Sequence, residues 1–332
     1  MSLKKVIKKN IDFSYLKQLG IKLYFKLHRS YQKRILQIRK SWLSKQMDRQ
    51  SRNGIFAIHL DSDWLGLGAR IVQTIELLMY ADEKNILPQF RYGYKEEKNT
   101  VDYFHELFEN KIPIITTKPQ KIAYTKINTI NELDLKKNYN QLLTIQSANQ
   151  LFHKYLKIKD NIISEVDSFA KSNFEGHIVL GLHYRGTDKT GEAPQVQLPF
   201  VYDTILRALS RPGSPFTRLF ISSDESGCID YFEKNKLPIK IIWRNDIYRS
   251  NDGNQFHRNP ANDISIINRE ALINCLLLAK CELLVKTSSL LSDCCKIFNP
   301  ELEMLILNKP HHSGLIWWPT TELNSNYFIG EA

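Results

Sequence analysis

Ile178-Val-Leu-Gly-Leu-His-Tyr-Arg-Gly-Thr-Asp-Lys-Thr-Gly-Glu192 begins as an apolar run and ends as a loop dense in glycine and charge. Residues 178–183 read as a strand buried on both faces, the pattern of a central strand in a parallel sheet. The next strand candidates, 218–222, 239–243, 282–286 and 303–307, alternate with helical segments at 199–210, 226–235, 264–281 and 289–298. Apolar strands joined by helices imply right-handed crossovers and a doubly wound sheet. In such sheets ligands bind outside the carboxyl ends of the strands. The polar clusters of this chain fall at those ends, and that coincidence gives them weight as a group.

The same alternation holds nearer the N-terminus. Ile55–Leu60 reads as a strand, 61–69 as a glycine-containing turn and 70–84 as an amphipathic helix, with short strand candidates at 113–117 and 121–125. Residues 142–174 are polar and mostly helical, suited to connecting two halves. With 332 residues and 42% hydrophobic content the chain is globular and long enough for about two domains. The boundaries expected are a basic helical arm at 1–53, a first Rossmann-like domain at 54–174, and a second, ligand-binding domain at 175–332.

Four clusters carry candidate chemistry. In 181–192, Arg185 has the fork to grip a phosphate and Lys189 adds a point charge. His183 lies at the strand's end, Asp188 is spaced to hold one of the cations, and Glu192 is a candidate general base. Ser223, Asp224 and Glu225 end the next strand, where carboxylates accept from a ribose or base, and the same residues suit a helix N-cap. Thr287, Ser288 and Ser289 open a predicted helix, where hydroxyls and free amides hold anions. Gly66 and Gly68 permit either backbone approach to a ligand or a tight turn. No Lys-Ser/Thr follows them, which excludes a P-loop, and Ile71 stands where a dinucleotide fingerprint needs glycine.

His311-His312 and Cys294-Cys295 are adjacent pairs whose side chains diverge, so they read as structural, and no bound metal is expected. The five cysteines lie in or near apolar runs without zinc-type spacing, which fits a reducing compartment. The chain shows no secretory h-region and no apolar stretch of about 20 residues. The expected location is cytoplasmic, peripheral to a membrane.

Charge is concentrated in the arm. Residues 1–53 hold 15 Lys and Arg against two acids, more than the whole net charge of +11. Leu16, Leu19, Leu23, Leu27, Tyr31, Ile35, Ile38 and Trp42 form one stripe at near-helical spacing, with basic residues around it. A basic amphipathic helix suits an anionic membrane surface. It also suits packing on its own domain; nucleic acid is the least favoured partner, because no recognition motif accompanies the arm.

The 181–192 cluster resembles the first motif of the α-1,6-fucosyltransferase and bacterial nodulation fucosyltransferase superfamily, roughly His-x-Arg-Arg-x-Asp-Lys. Leu219–Glu225 is similar to its strand ending in a Thr-Asp-Asp type turn, Glu270–Ser289 to its later helix, strand and hydroxyl motif, and Gly66–Arg70 to its glycine-rich turn. The resemblance implies a GT-B fold, α/β with two Rossmann-like domains facing a cleft. It also implies a GDP-sugar donor, usually GDP-fucose, and metal-free inverting transfer with no further cofactor. It gives Arg185 the phosphate-binding role, and Gly66, Gly68 and Arg70 join the donor site. Gly186 stands where the family has a second arginine, Asn274 where it has an acid, and Ala69 and Arg70 where its turn carries amides; Glu192 falls one position before the family's proposed base.

The function expected is therefore transfer of fucose from GDP-fucose, or a sugar from another nucleotide sugar, to a glycan or lipid-linked acceptor. The alternatives are a non-catalytic membrane- or nucleic-acid-binding protein on the same fold, and a different nucleotide-dependent α/β enzyme.

Overall fold

A computed structural model of the chain describes residues 13–62, 65–93, 102–112, 122–186, 192–250, 263–311 and 317–329, with the side chains of the first helix from Lys33 onward. That helix, α1 (Phe13–Arg52), runs into β1 (Ile55–Asp61), α2 (Leu67–Glu83) and β2 (Leu87–Gly93). Next come α3 (Phe104–Leu107), β3 (Phe108–Asn110), β4 (Thr125–Ile127), 3-10 turns at Ile130–Glu132 and Tyr139–Gln141, α4 (Ile145–Tyr155), β5 (Leu156–Ile158) and α5 (Asp160–Asn173). The remainder comprises β6 (Val179–Tyr184), α6 (Leu198–Leu209), β7 (Arg218–Ser223), α7 (Ser226–Asn235), β8 (Lys240–Ile242), α8 (Ile264–Ala279), β9 (Leu283–Lys286), α9 (Leu290–Asp293), α10 (Cys295–Phe298), β10 (Glu303–Ile306) and α11 (Thr320–Tyr327).

The second sheet is the doubly wound sheet that the 178–192 stretch implies. Its five strands are ordered β10-β9-β6-β7-β8 and every pairing is parallel. The order reverses between β6 and β9, which makes the crevice there the topological switch point. All six residues of β6 are buried. Leu180, Leu182 and Tyr184 face a core built with α6 and α7, while Val179 faces the core under α8. This period-two division requires layers on both faces. Helix α8 is capped by Asp263, whose carboxylate accepts from the Ser265 and Ile266 amides, and its residues from Leu272 to Ala279 are all buried. It is apolar around most of its circumference because it lies inside the molecule.

The first sheet, among the described residues, has order β2-β1-β4, all parallel. One continuous core runs from Leu43 and Met47 of α1 through β1, α2 and α8 to Leu323. Thus the last part of the basic arm belongs to the body. Gly68 allows a close approach between the halves: a Cβ there would lie 2.5 Å from the Leu291 amide nitrogen and 2.7 Å from the Leu290 carbonyl carbon.

Several expectations needed correction. The strand expected at 121–125 forms at Thr125–Ile127, and the candidate at 113–117 lies outside the described residues. The helix expected over 289–298 is two single turns that meet at Cys294. Strand β2 was not anticipated, since Leu87-Pro-Gln-Phe-Arg-Tyr-Gly93 contains a proline. Among the described residues it pairs only with β1, and an edge position spares Pro88 the amide it lacks.

Candidate functional site

Three clusters that are distant in sequence meet at the switch point. Strand β6 delivers His183 and Arg185, β7 delivers Ser222, Ser223 and Asp224, and β9 delivers Thr287. The Thr287 hydroxyl accepts a hydrogen bond from the Arg185 amide at 2.9 Å, and the Thr287 amide donates to the His183 carbonyl at 3.0 Å. These bonds stitch the ends of β6 and β9 together and fix the backbone that carries the arginine. Asp224 Oδ2 lies 3.7 Å from Arg185 Nε, and Asp224 Oδ1 accepts from the Gly186 amide at 3.4 Å. The Arg185 side chain is partly buried, so its guanidinium sits in reduced solvent beside a carboxylate that orients it.

A cleft of about 190 Å³ opens over this platform. Gly66, Gly68, His183, Arg185, Glu192, Ser223, Asp224 and Ser289, all read from the sequence as site residues, line it together. Helix α8 forms another wall with Asn268, Glu270 and Asn274. The Asn274 position was marked in the sequence as a departure from the family pattern; Asn268 and Glu270 were not marked as ligand contacts. No periodic signal marked them: at 100° per residue Asn268 and Glu270 stand about 160° apart, on a half of the helix that also carries Ser265 and Arg269.

Two polar atoms in this wall have no partner among the described residues: His183 Nδ1 and Asn274 Oδ1. His183 is 5% exposed and Asn274 8%. An orphaned buried polar atom costs about 1–3 kcal/mol, so such atoms in a cleft mark where a ligand's polar groups are met. Burial, then the charges of Lys286 and Arg185, push the His183 imidazole down to about 3, which leaves it neutral near pH 7. Lys286 is paired with His183 in register and bonded to Asp293 at 2.5 Å, with both side chains 1% exposed. Thr320 donates to the second oxygen of Asp293, which completes a buried support beneath the cleft. Burial also raises Glu270, whose carboxylate accepts from the Tyr248 amide.

Other expected site residues are placed differently. Arg70 is the clearest correction. It is 1% exposed, and its guanidinium donates to the carbonyls of Leu60, Leu65, Ser62 and Gly93 between the rings of Tyr92 and Tyr103. It clamps the ends of β1 and β2 instead of lining the cleft. Glu225 also lies off the lining. Its carboxylate fills the space beside Gly186, where a Cβ would meet Oε1 at 2.4 Å, and burial and then Asp224 raise its pKa. The space that a side chain at position 186 would enter is thus filled by an acid just beyond the end of β7. Ser288 binds Asn308 through its amide, and Thr287 acts through Arg185. The turn after them is too short for a helix dipole to contribute. Asp188, Lys189 and His312 lie outside the described residues. Among the described residues no group of three His, Cys, Asp or Glu is arranged to hold a metal ion. All five cysteines are buried and free.

No protein-family model matches the chain, and no curated protein matches it. Its fold is similar to that of solved structures. The crystal structure of NodZ alpha-1,6-fucosyltransferase soaked with GDP-fucose aligns with a TM-score of 0.50 at 14% identity, covering 78% of this chain and 97% of that one. POFUT1 in complex with GDP aligns at 0.46 and 11% identity, over 76% and 98% of the two chains. A mutant of Arabidopsis thaliana FUT1 in complex with GDP aligns at 0.47 and 13% identity, over 88% and 78%. The likeness to the NodZ structure shows a shared GT-B fold, α/β with parallel sheets.

Proposed function

We propose that the protein is a metal-independent, inverting glycosyltransferase that moves fucose from GDP-fucose to a glycan or glycolipid hydroxyl. The observation that carries this reading is the switch-point cleft, where Arg185 is held by Thr287 and Asp224 beside the orphaned His183 Nδ1 and Asn274 Oδ1. The acceptor oxygen bonds to the anomeric carbon as that carbon's bond to the diphosphate oxygen breaks, and the electron pair leaves with GDP. Glu192, exposed at the cleft, takes the acceptor proton. Negative charge grows on the leaving diphosphate, so a fixed Arg185, joined by Lys189, stabilises the transition state more than the bound donor. His183, neutral, contributes a hydrogen bond without adding charge.

The test is release of GDP from GDP-fucose in excess EDTA, alongside melting curves with GDP, ATP and NAD. A melting temperature raised by GDP alone and turnover indifferent to EDTA are expected. Stabilisation by ATP or NAD instead would replace this reading with another nucleotide-dependent enzyme. Activity restored only by Mg²⁺ or Mn²⁺ would end the metal-free mechanism.

A further inference from the structure

The described end of the arm's apolar stripe, Ile35, Ile38 and Trp42, faces away from the protein. Between Lys33 and Arg52, α1 docks on the body through Leu43 and Met47, 0% and 5% exposed, and through Gln50, whose amide donates to the carbonyls of Ala57 and Ala123. Met47 is nine residues from Ile38, which at 100° per residue places them on opposite sides of the helix. Accordingly Ile38 is 71% exposed and Trp42 56%, with Ile35 at 41% beside them. These residues close the stripe read from the sequence, so the arm is anchored by a different face from the one its periodicity advertised.

Basic side chains surround the exposed residues. Arg34, Gln37, Ile38, Ser41, Trp42 and Lys45 share one shallow surface groove, and Arg49 continues it one turn further. Residues 33–52 contain seven Lys and Arg and a single acid, Asp48. From this geometry we infer that the Arg34–Arg49 face of α1 is a docking surface for an anionic lipid bilayer. The charge complementarity is direct: phosphate headgroups meet Arg34, Lys45 and Arg49, while Ile38 and Trp42 enter the boundary between headgroup and acyl chain. Tryptophan favours that depth because its ring is apolar and its indole N–H is not. Long basic stems let the charges stay at headgroup level while the helix sinks. A second copy of the chain meeting this face would set like charges against one another. Nucleic acid would engage the cations but leave Ile38 and Trp42 without a role.

The inference does not depend on the transfer reaction and is tested separately from it. The full chain is sedimented with vesicles of equal parts phosphatidylcholine and phosphatidylglycerol, and with phosphatidylcholine alone. Binding to the anionic vesicles only is expected, and it should weaken in 1 M NaCl, where the Debye length is about 3 Å. Arg34→Gln with Lys45→Gln should lower partitioning by about 25-fold, roughly fivefold for each charge. Ile38→Ser with Trp42→Ser should lower it about tenfold or more. All four side chains are exposed, so both variants should keep the wild-type melting temperature, and GDP release in solution should be unchanged. Indifference of the wild type to vesicle charge, or an Ile38→Ser/Trp42→Ser variant that binds anionic vesicles as the wild type does, would overturn the inference. So would an oligomer in solution that the same pair of substitutions dissociates.

Discussion

Arg185 shows how one side chain acquires a role from its neighbours. Its amide is fixed by a hydroxyl from β9 and its guanidinium is oriented by a carboxylate from β7. Gly186, beside it, offers no second cation, because Glu225 occupies the space. Arg185→Ala should therefore cut kcat by about 10²–10³, the loss of one charge-assisted contact to a developing anion of about 2.7–4 kcal/mol. Arg185→Lys should recover little of it, since an ammonium lacks the two-pronged donor geometry. Steady-state GDP release by each variant checks this, with unchanged melting curves as the control. Turnover near the wild-type rate in the alanine variant would remove Arg185 from the mechanism. Arg185 stood out as a candidate because the polar residues of 181–192 are consecutive in the chain. The fate of Arg70 was not, because a guanidinium next to a glycine turn reads alike whether it meets a phosphate or four carbonyls.

At the scale of elements, α2 combines close approach with a buried acid. Gly68 lets its first turn touch the backbone at Leu290 and Leu291, and eight residues on Glu76 is 5% exposed with Asn140 donating to it at 2.8 Å. Burial raises Glu76 from 4.5 to about 7, opposed by that hydrogen bond. The folded protein therefore keeps a proton that the unfolded chain has released. Stability from this group falls as pH rises from about 4.5 and the deficit is complete above about 7. Glu76→Gln should stabilise the protein at pH 8 by about 3 kcal/mol and leave it unchanged at pH 4. Urea unfolding of both proteins at the two pH values measures the difference. A variant equally or less stable at pH 8 would show that Glu76 ionises without penalty. The existence of α2 followed from its periodicity, but the burial of Glu76 depended on the 3-10 turn at Tyr139–Gln141, which no local pattern announced.

Over the whole molecule, the arm is not a detachable unit. Removal of residues 1–53 deletes Leu43 and Met47 from the core and Gln50 from the edge of the first sheet. Losing such side chains costs about 2–5 kcal/mol each, so that truncation should lower the melting temperature by about 10 °C or more, or yield insoluble protein. Removal of residues 1–32 spares every one of these contacts and should leave the melting temperature within a few degrees. Thermal unfolding of the two truncations separates them. Equal stability of both would mean that α1 contributes nothing to the core.

The sequence by itself determined the layered α/β architecture, the strand ends that carry chemistry and the resemblance to a GT-B transferase. These are local properties: apolar period, turn chemistry and the residue types that follow a strand. Tertiary structure alone decided which charges are spent on the scaffold. It buried Arg70 among carbonyls, set Glu225 beside Gly186, brought Asn268, Glu270 and Asn274 of α8 into the cleft wall, and turned Ile38 and Trp42 outward. Each of these depends on what stands opposite a side chain. A helix's periodicity gives the angle between its faces, but the direction either face looks is fixed by the partner that buries Leu43 and Met47.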